Sequence, residues 1–213
     1  MMTANEVIDV VEAISKHHPN PQIALNFSTP LELLIATILA AQCTDERVNV
    51  VTQSLFKKYR SAEDYANANI DEFEQDIRST TFYKNKAKMI VGCTKKLLSD
   101  FSGNVPSTLQ ELTTLPGVGR KTASVVMVAA FGVPAIAVDT HVLRVSNRIG
   151  LVNAPKDADK VETALRELLP QEMWVSFTLS AVLFGRHVCK AKKPMCGTCL
   201  VYEMCKWPDK LKT

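Results

Sequence analysis

The chain has 213 residues, of which 46% are hydrophobic and 22% charged. That length suits one domain or two small ones with a real core, and the composition excludes a disordered or fibrous protein. A formal charge of +3 says little about nucleic acid by itself, and the longest apolar run, 123–138, is broken by Gly132 and Pro134 and is too short to span a bilayer.

Helical periodicity runs through the sequence in chain order. Residues 5–15 carry Val7, Ile8, Val10, Val11 and Ile14 on one face. Ser28-Thr29-Pro30 introduces a helix over 31–41, with proline at its start. Residues 48–59 and 85–101 repeat the pattern, the second ending near Gly103. Ser107 with Gln110 reads as a capping box ahead of Leu109 and Leu112. Another helix opens at Arg120. Thr140 is expected to cap a helix over 141–149 that stops at Gly150, and helices over 158–169 and 174–185 complete the set. No alternating strand pattern or Asn-Gly hairpin occurs, so the fold class is all-α. Neither linkers, low-complexity stretches nor internal repeats mark a domain boundary.

The run Leu115-Pro116-Gly117-Val118-Gly119-Arg120-Lys121-Thr122-Ala123, followed by Val138-Asp139-Thr140-His141, is the most informative stretch. Pro116 ends the preceding segment, and Gly117 and Gly119 permit positive φ and close backbone approach. The free N–H groups of the helix beginning at Arg120 then form a ready anion site, with phosphate the natural ligand. Lys121 sits on that first turn, where a purely structural helix favours an acid. By itself the run fits a plain turn between core helices, a DNA-binding hairpin or a catalytic one.

Near the C-terminus Cys189, Cys196, Cys199 and Cys205 give C-x6-C-x2-C-x5-C. The opening Met-Met-Thr-Ala-Asn-Glu lacks a signal-peptide pattern, so a reducing cytoplasm is expected and disulfides are disfavoured. Zinc usually takes paired short knuckles, and one is present here. Four thiolates from one loop suit a cubane [4Fe–4S] cluster, although the spacing differs from both ferredoxin patterns. Cys43 and Cys93 lie in helical patterns elsewhere and fit small buried residues. Around the four cysteines Arg186, Lys190, Lys192, Lys193, Lys206, Lys210 and Lys212 face only Glu203 and Asp209. Such a patch suits either a phosphate-facing surface, with Lys192 and Lys193 held between cysteines, or a solvated tail.

From Asn26-Phe27-Ser28 to Cys205 the chain resembles the endonuclease III family of helix-hairpin-helix DNA glycosylases, and the cysteine spacing matches that family's cluster loop. The resemblance implies two helical lobes with a DNA-binding cleft between them. Residues 22–133 would form a lobe with the hairpin; 1–21 and 134–213 would form the iron–sulfur lobe. It implies Lys121 and Asp139 as catalytic residues facing each other at the cleft mouth, and a [4Fe–4S] cluster on Cys189, Cys196, Cys199 and Cys205. It assigns DNA contacts to Gly117, Val118, Gly119 and Arg120, and gap filling to Gln42. Phe82, before Tyr83, stands where the family usually has a leucine wedge. Ser124 stands where Asn is common, and Thr178-Leu179 where a His pair is common. The implied partner is duplex DNA carrying damaged bases or abasic sites, bound by a monomer in the cytoplasm, at the nucleoid in a bacterium, without a membrane role.

The implied activity removes oxidised pyrimidines through a lysine Schiff base and nicks the abasic site by β-elimination. Such a step needs a neutral amine at C1′. An ordinary lysine is neutral about once in a few thousand molecules at pH 7, a cost of roughly 4–5 kcal/mol. A helix terminus contributes only about 0.3–1 kcal/mol, so desolvation against a flipped nucleotide must supply most of it. A carboxylate at Asp139 fits stabilisation of sugar cation character and proton relay. The alternatives are an adenine-mismatch glycosylase, whose family lacks the lysine, a non-catalytic iron–sulfur binder of DNA damage, and an electron carrier, which needs no phosphate cradle.

Overall fold

A computed structural model describes residues 2–18 and 21–210. The described residues are helices and connecting turns, in two compact units: 23–133, and 1–22 with 134–213. Lys212 lies outside the described residues.

In the contiguous unit, α2 (Pro30–Ala40) is the central element. Thr29 caps it by accepting from the Glu32 N–H, Pro30 occupies its first turn, and Leu33, Leu34, Ile35, Ala36, Ile38 and Leu39 are all buried. A helix apolar on nearly every side belongs inside a core, and α3 (Asp45–Lys58), α6 (Tyr83–Phe101) and α8 (Arg120–Phe131) pack around it. Between α3 and α6 lie two short helices absent from the periodicity reading, α4 (Ala62–Ala66) and α5 (Ile70–Asp76). Stacked Tyr59 and Tyr65, with Phe73 edge-on to both, fill the space beneath them. Lys58 Nζ reaches Glu72 and Asp76 at 2.6 Å each. The short α7 (Leu109–Leu112) begins one residue later than the sequence suggests. Thr108, not Ser107, is its cap: its Oγ1 accepts from the Glu111 N–H at 3.2 Å and donates to Glu111 Oε2 at 2.6 Å. Glu111 stands three residues after Thr108, as Gln110 does after Ser107, and the register chosen is the one that buries Leu112.

The second unit joins the two ends of the chain. Its α1 (Ala4–His17) has a Thr3/Glu6 capping box and buries Val7, Val10, Val11 and Ile14, packing on α11 (Trp174–His187). α9 (Thr140–Ile149) also packs on α11, and α10 (Ala158–Leu168) on α9. Gly185 sets the α9–α11 approach: a Cβ there would lie 2.8 Å from His141 Cβ. Short 3-10 turns at Gln171–Met173 and Cys196–Thr198 complete the unit. No described helix is long and apolar enough to cross a membrane.

Where α1 ends, the His18 ring lies 4.7 Å from His17 and 6.5 Å from His187, and its Nε2 is buried without a hydrogen-bond partner. Burial, then the two neighbouring imidazoles, push His18 below the usual histidine range; burial pushes His141 the same way. Such rings take up their proton at lower pH in the folded chain than in the unfolded chain, where histidine protonates from about pH 6.5 downward. Their stabilisation is therefore full above that value and is lost as pH falls. The melting temperature should drop between about pH 7.5 and about pH 5.5, and His18→Asn should flatten part of that slope. A slope unchanged by the substitution would remove His18 from the explanation.

Candidate functional site

The hairpin is built by packing two apolar residues under an exposed turn. Leu115 and Val118 are buried while Pro116, Gly117 and Gly119 are exposed, and the Val118 N–H donates to Leu115 O at 3.1 Å to close the turn. Gly117 sits at φ +77°, and a Cβ there would meet Met89 Cβ at 3.0 Å. Both the backbone angle and the contact with α6 therefore require glycine. Pro116 lies against the same helix beside Gly92.

Gly119 starts α8 with φ −86°, no side-chain cap, and open space where a Cβ would be. The first helical bond is Ala123 N–H to Gly119 O at 2.9 Å, so the N–H groups of residues 120–122 have no intrahelical acceptor. No acid occupies this first turn. Lys121 is exposed there, with no hydrogen bond or ion pair among the described residues. Arg120 is exposed as well. First-turn N–H groups with no intrahelical acceptor, beside the free Lys121 ammonium, make a site for a phosphate and for an amine that can reach carbon next to it.

Gln42 and Phe82, in the same unit, share an uncommon property. Both are non-glycine residues in the left-handed region, at φ 54° and φ 55°. Both are exposed, Phe82 at 65%, so Phe82 is no core aromatic. Residues held in this region cost of order 1–3 kcal/mol and concentrate at ligand-contacting sites.

In the other unit Asp139, not Thr140, caps α9. Its Oδ1 accepts from the N–H groups of His141 and Val142, at 2.8 Å each. A carboxylate oxygen satisfies two orphan donors at once, which a threonine hydroxyl one residue later cannot reach. One oxygen thus fixes the side chain. Farther along, the Arg144 guanidinium donates to Cys189 O at 3.0 Å, Gly185 O at 2.8 Å and Thr140 O at 3.3 Å, and contacts His141 Nδ1 at 3.1 Å. Arg148 donates to Lys190 O at 2.7 Å and Ala191 O at 3.0 Å and lies 4.2 Å over the Trp207 ring. One face of α9 therefore grips the cysteine segment.

Cys189, Cys196, Cys199 and Cys205 line one cavity together with Arg148 and Phe184. Among the described residues no group of three or more His, Cys, Asp or Glu is arranged to hold a metal ion. A lone zinc needs its thiolates about 2.3 Å from a single point, whereas a cluster spreads them over separate irons. Burial pushes the Cys189 thiol up, opposed by the Arg148 and Arg144 charges, and burial pushes Cys199 up as well. A shared cavity with a nearby guanidinium suits anionic sulfur ligands, and the donor set fits an iron–sulfur group.

The basic residues nearby divide into two kinds. Lys192 and Lys193 are exposed, Lys193 at φ 52°. Lys210 is not part of an outward patch: its Nζ donates to Tyr202 O at 2.8 Å and Cys205 O at 3.1 Å and lies over the Tyr202 ring. Lys206 reaches Glu6 at 3.4 Å. Ser124 and Thr178 are buried, the latter donating to Ala135 O at 3.3 Å. Arg144 and Arg148 escaped the sequence reading. Their i,i+4 spacing was its one signal, and that spacing equally describes a solvated face.

The family model described as HhH-GPD superfamily base excision DNA repair protein matches residues 35–171. Endonuclease III of Synechocystis sp. is 46% identical over 198 residues, 92% of this chain and 90% of that relative. Endonuclease III of Bacillus subtilis is 43% identical over 206 residues, covering 97% and 94%. Among solved structures, a trapped endonuclease III–DNA covalent intermediate superposes with a TM-score of 0.92, at 44% identity over 97% of each chain. The matched span contains the bare start of α8, Lys121 and the Asp139 cap, and the chain belongs to the endonuclease III family of HhH-GPD base excision DNA repair proteins.

Proposed function

We propose that this protein flips an oxidised pyrimidine out of duplex DNA, cleaves its N-glycosidic bond through Lys121, and nicks the resulting abasic site by β-elimination. The observation that carries this reading is the exposed Lys121 amine, unpartnered among the described residues, on the first turn of a helix with no cap. A solved endonuclease III that was trapped covalently on DNA supports it.

The chemistry follows from the residue types. Lys121 Nζ bonds to C1′ as the C1′–base bond breaks, and the base leaves with the electron pair and takes up a proton. Loss of a proton from nitrogen and opening of the sugar ring give a Schiff base between Nζ and C1′. Conjugation acidifies the C2′ proton; its removal breaks the C3′–O bond and expels the 3′ phosphate. Hydrolysis then frees Lys121. Asp139 stabilises positive charge developing on the sugar and relays protons, with Oδ1 tied to α9 and Oδ2 left for that work.

DNA is held by complementary groups. Backbone N–H groups at Gly117, Gly119 and Arg120 receive a phosphate, with buried Val118 anchoring the turn. Lys192 and Lys193 contact a second stretch of backbone. Gln42 and Phe82 fill the gap left by the flipped nucleotide, an aromatic at position 82 stacking on bases as well as excluding water. Cys189, Cys196, Cys199 and Cys205 hold a [4Fe–4S] cluster. A bound cluster would cross-link that segment and so rigidify it, with Arg148 beside Cys189 Sγ at 3.9 Å.

Borohydride should trap the wild-type protein on abasic duplex DNA, and Lys121→Gln should abolish the adduct while changing affinity by less than about tenfold. An adduct with Lys121→Gln would assign the nucleophile to another amine. Asp139→Asn keeps an oxygen for the cap, so it should fold and bind like wild type yet lose rate by about a hundredfold or more. Gly119→Asp meets open space, so it should leave the folding stability equal or raise it by a few tenths of a kcal/mol. The same change should weaken abasic-duplex binding at least about tenfold at low salt; unchanged binding would place the phosphate elsewhere. Metal analysis should give about four irons per chain and no stoichiometric zinc.

A further inference from the structure

Gln42 and Phe82 belong to separate loops, after α2 and before α6. Neither conformation is held by its own side chain. Phe82 occupies the start of α6 with no side-chain cap, its carbonyl accepting from the Asn85 and Lys86 N–H groups at 3.0 and 3.1 Å. Beyond Ala41, where α2 ends, Gln42 turns left-handed, and its carbonyl faces the neighbouring loop.

Two polar contacts join these loops. The Thr81 hydroxyl, one residue before Phe82, donates to Gln42 O at 2.5 Å. One turn into α6, Lys86 is buried to 4% exposure, and its Nζ donates to Leu39 O at 2.7 Å. Leu39 O belongs to the last turn of α2, where carbonyls lack helical partners and a cation is favoured. A lysine taken out of water needs such a partner. The two bonds therefore tie residues 39–42 to residues 81–86 directly beneath two exposed, left-handed side chains.

We propose that Thr81 and Lys86 are positioning residues that lock Gln42 and Phe82 into a single preformed wedge, so that both enter the duplex together. The proposal rests on the reading of those two residues as gap fillers. Strain at each left-handed residue is comparable to one net hydrogen bond. Without the Thr81 bond Gln42 relaxes toward an ordinary conformation, and the gap must then be filled at the expense of that strain. The cost falls on extrusion of a paired base, because an unpaired base leaves less stacking and pairing to break.

The test compares single-turnover excision of an oxidised pyrimidine from a fully paired duplex with excision of the same lesion inside an unpaired bubble. Thr81→Val keeps the shape and removes the donor. It should slow excision from the paired duplex by about three- to tenfold, leave the bubble rate within about twofold and leave the melting temperature unchanged. Thr81→Ser should restore the paired rate. Lys86→Met removes the deeper tie and should show the same paired-over-bubble bias among folded molecules. If wild type excises the lesion from both substrates and Thr81→Val either matches it or slows both equally, the positioning role fails while the base-excision activity stands. If wild type excises from neither substrate, both fall.

Discussion

The constraint on which this molecule turns is the bare start of α8. Elsewhere the chain spends side chains freely on helix starts: Thr3, Thr29, Thr44, Ser61, Asn69, Thr108, Asp139 and Asp157 each accept from first-turn N–H groups. A cap replaced by alanine typically costs about 1 kcal/mol. At Gly119 that stabilisation is forgone although a capping side chain would fit the space. The start of α6 is likewise without a side-chain cap, at Phe82. Both lie in the contiguous unit and carry groups that we propose to contact DNA. Support comes from beneath instead, through Met89 and Gly92 of α6 against the hairpin turn and through buried α2 behind it.

The noncontiguous unit solves a different problem, how to hold a short segment rich in cysteine and lysine in one conformation. Arginines on α9 do this with backbone carbonyls as acceptors. A planar guanidinium with several fixed donors suits that use better than an ammonium, and Arg144 uses it to link Cys189 and Gly185 to the residues just after Asp139. The same helix begins with the Asp139 cap, so its two ends serve separate demands. Gly185 makes this possible by letting α11 approach α9 where any larger residue would strike His141.

Much of this was legible in the sequence. Long helices announced themselves through buried periodic positions such as Val7, Val10, Val11 and Ile14, and the hairpin through glycines whose roles the geometry explains. The four cysteines declared a shared purpose by spacing, and the structure gathers them around one cavity. Short α4 and α5 did not show, because five and seven residues are too few to establish a period. Cap positions slipped by one residue at Thr108 and Asp139, since neighbouring polar residues compete: burial of Leu112 sets the register at the first, and a carboxylate oxygen that takes two N–H groups wins at the second. The inward turn of Lys210 and the tie from Lys86 to Leu39 depend on tertiary contacts, and a lysine in a sequence gives no sign of which carbonyl it will meet.

Joining the two ends of the chain into one unit has a consequence for the order of events during synthesis. The block 23–133 is complete in sequence before the second half of its companion exists. Helix α1 emerges before that block, but the helix that covers it, α11, begins at Trp174. At about 5–20 residues per second, the ribosome needs on the order of ten to thirty seconds to deliver that partner. For that interval α1 has an apolar stripe whose partner does not yet exist, while a finished domain stands immediately after it on the nascent chain.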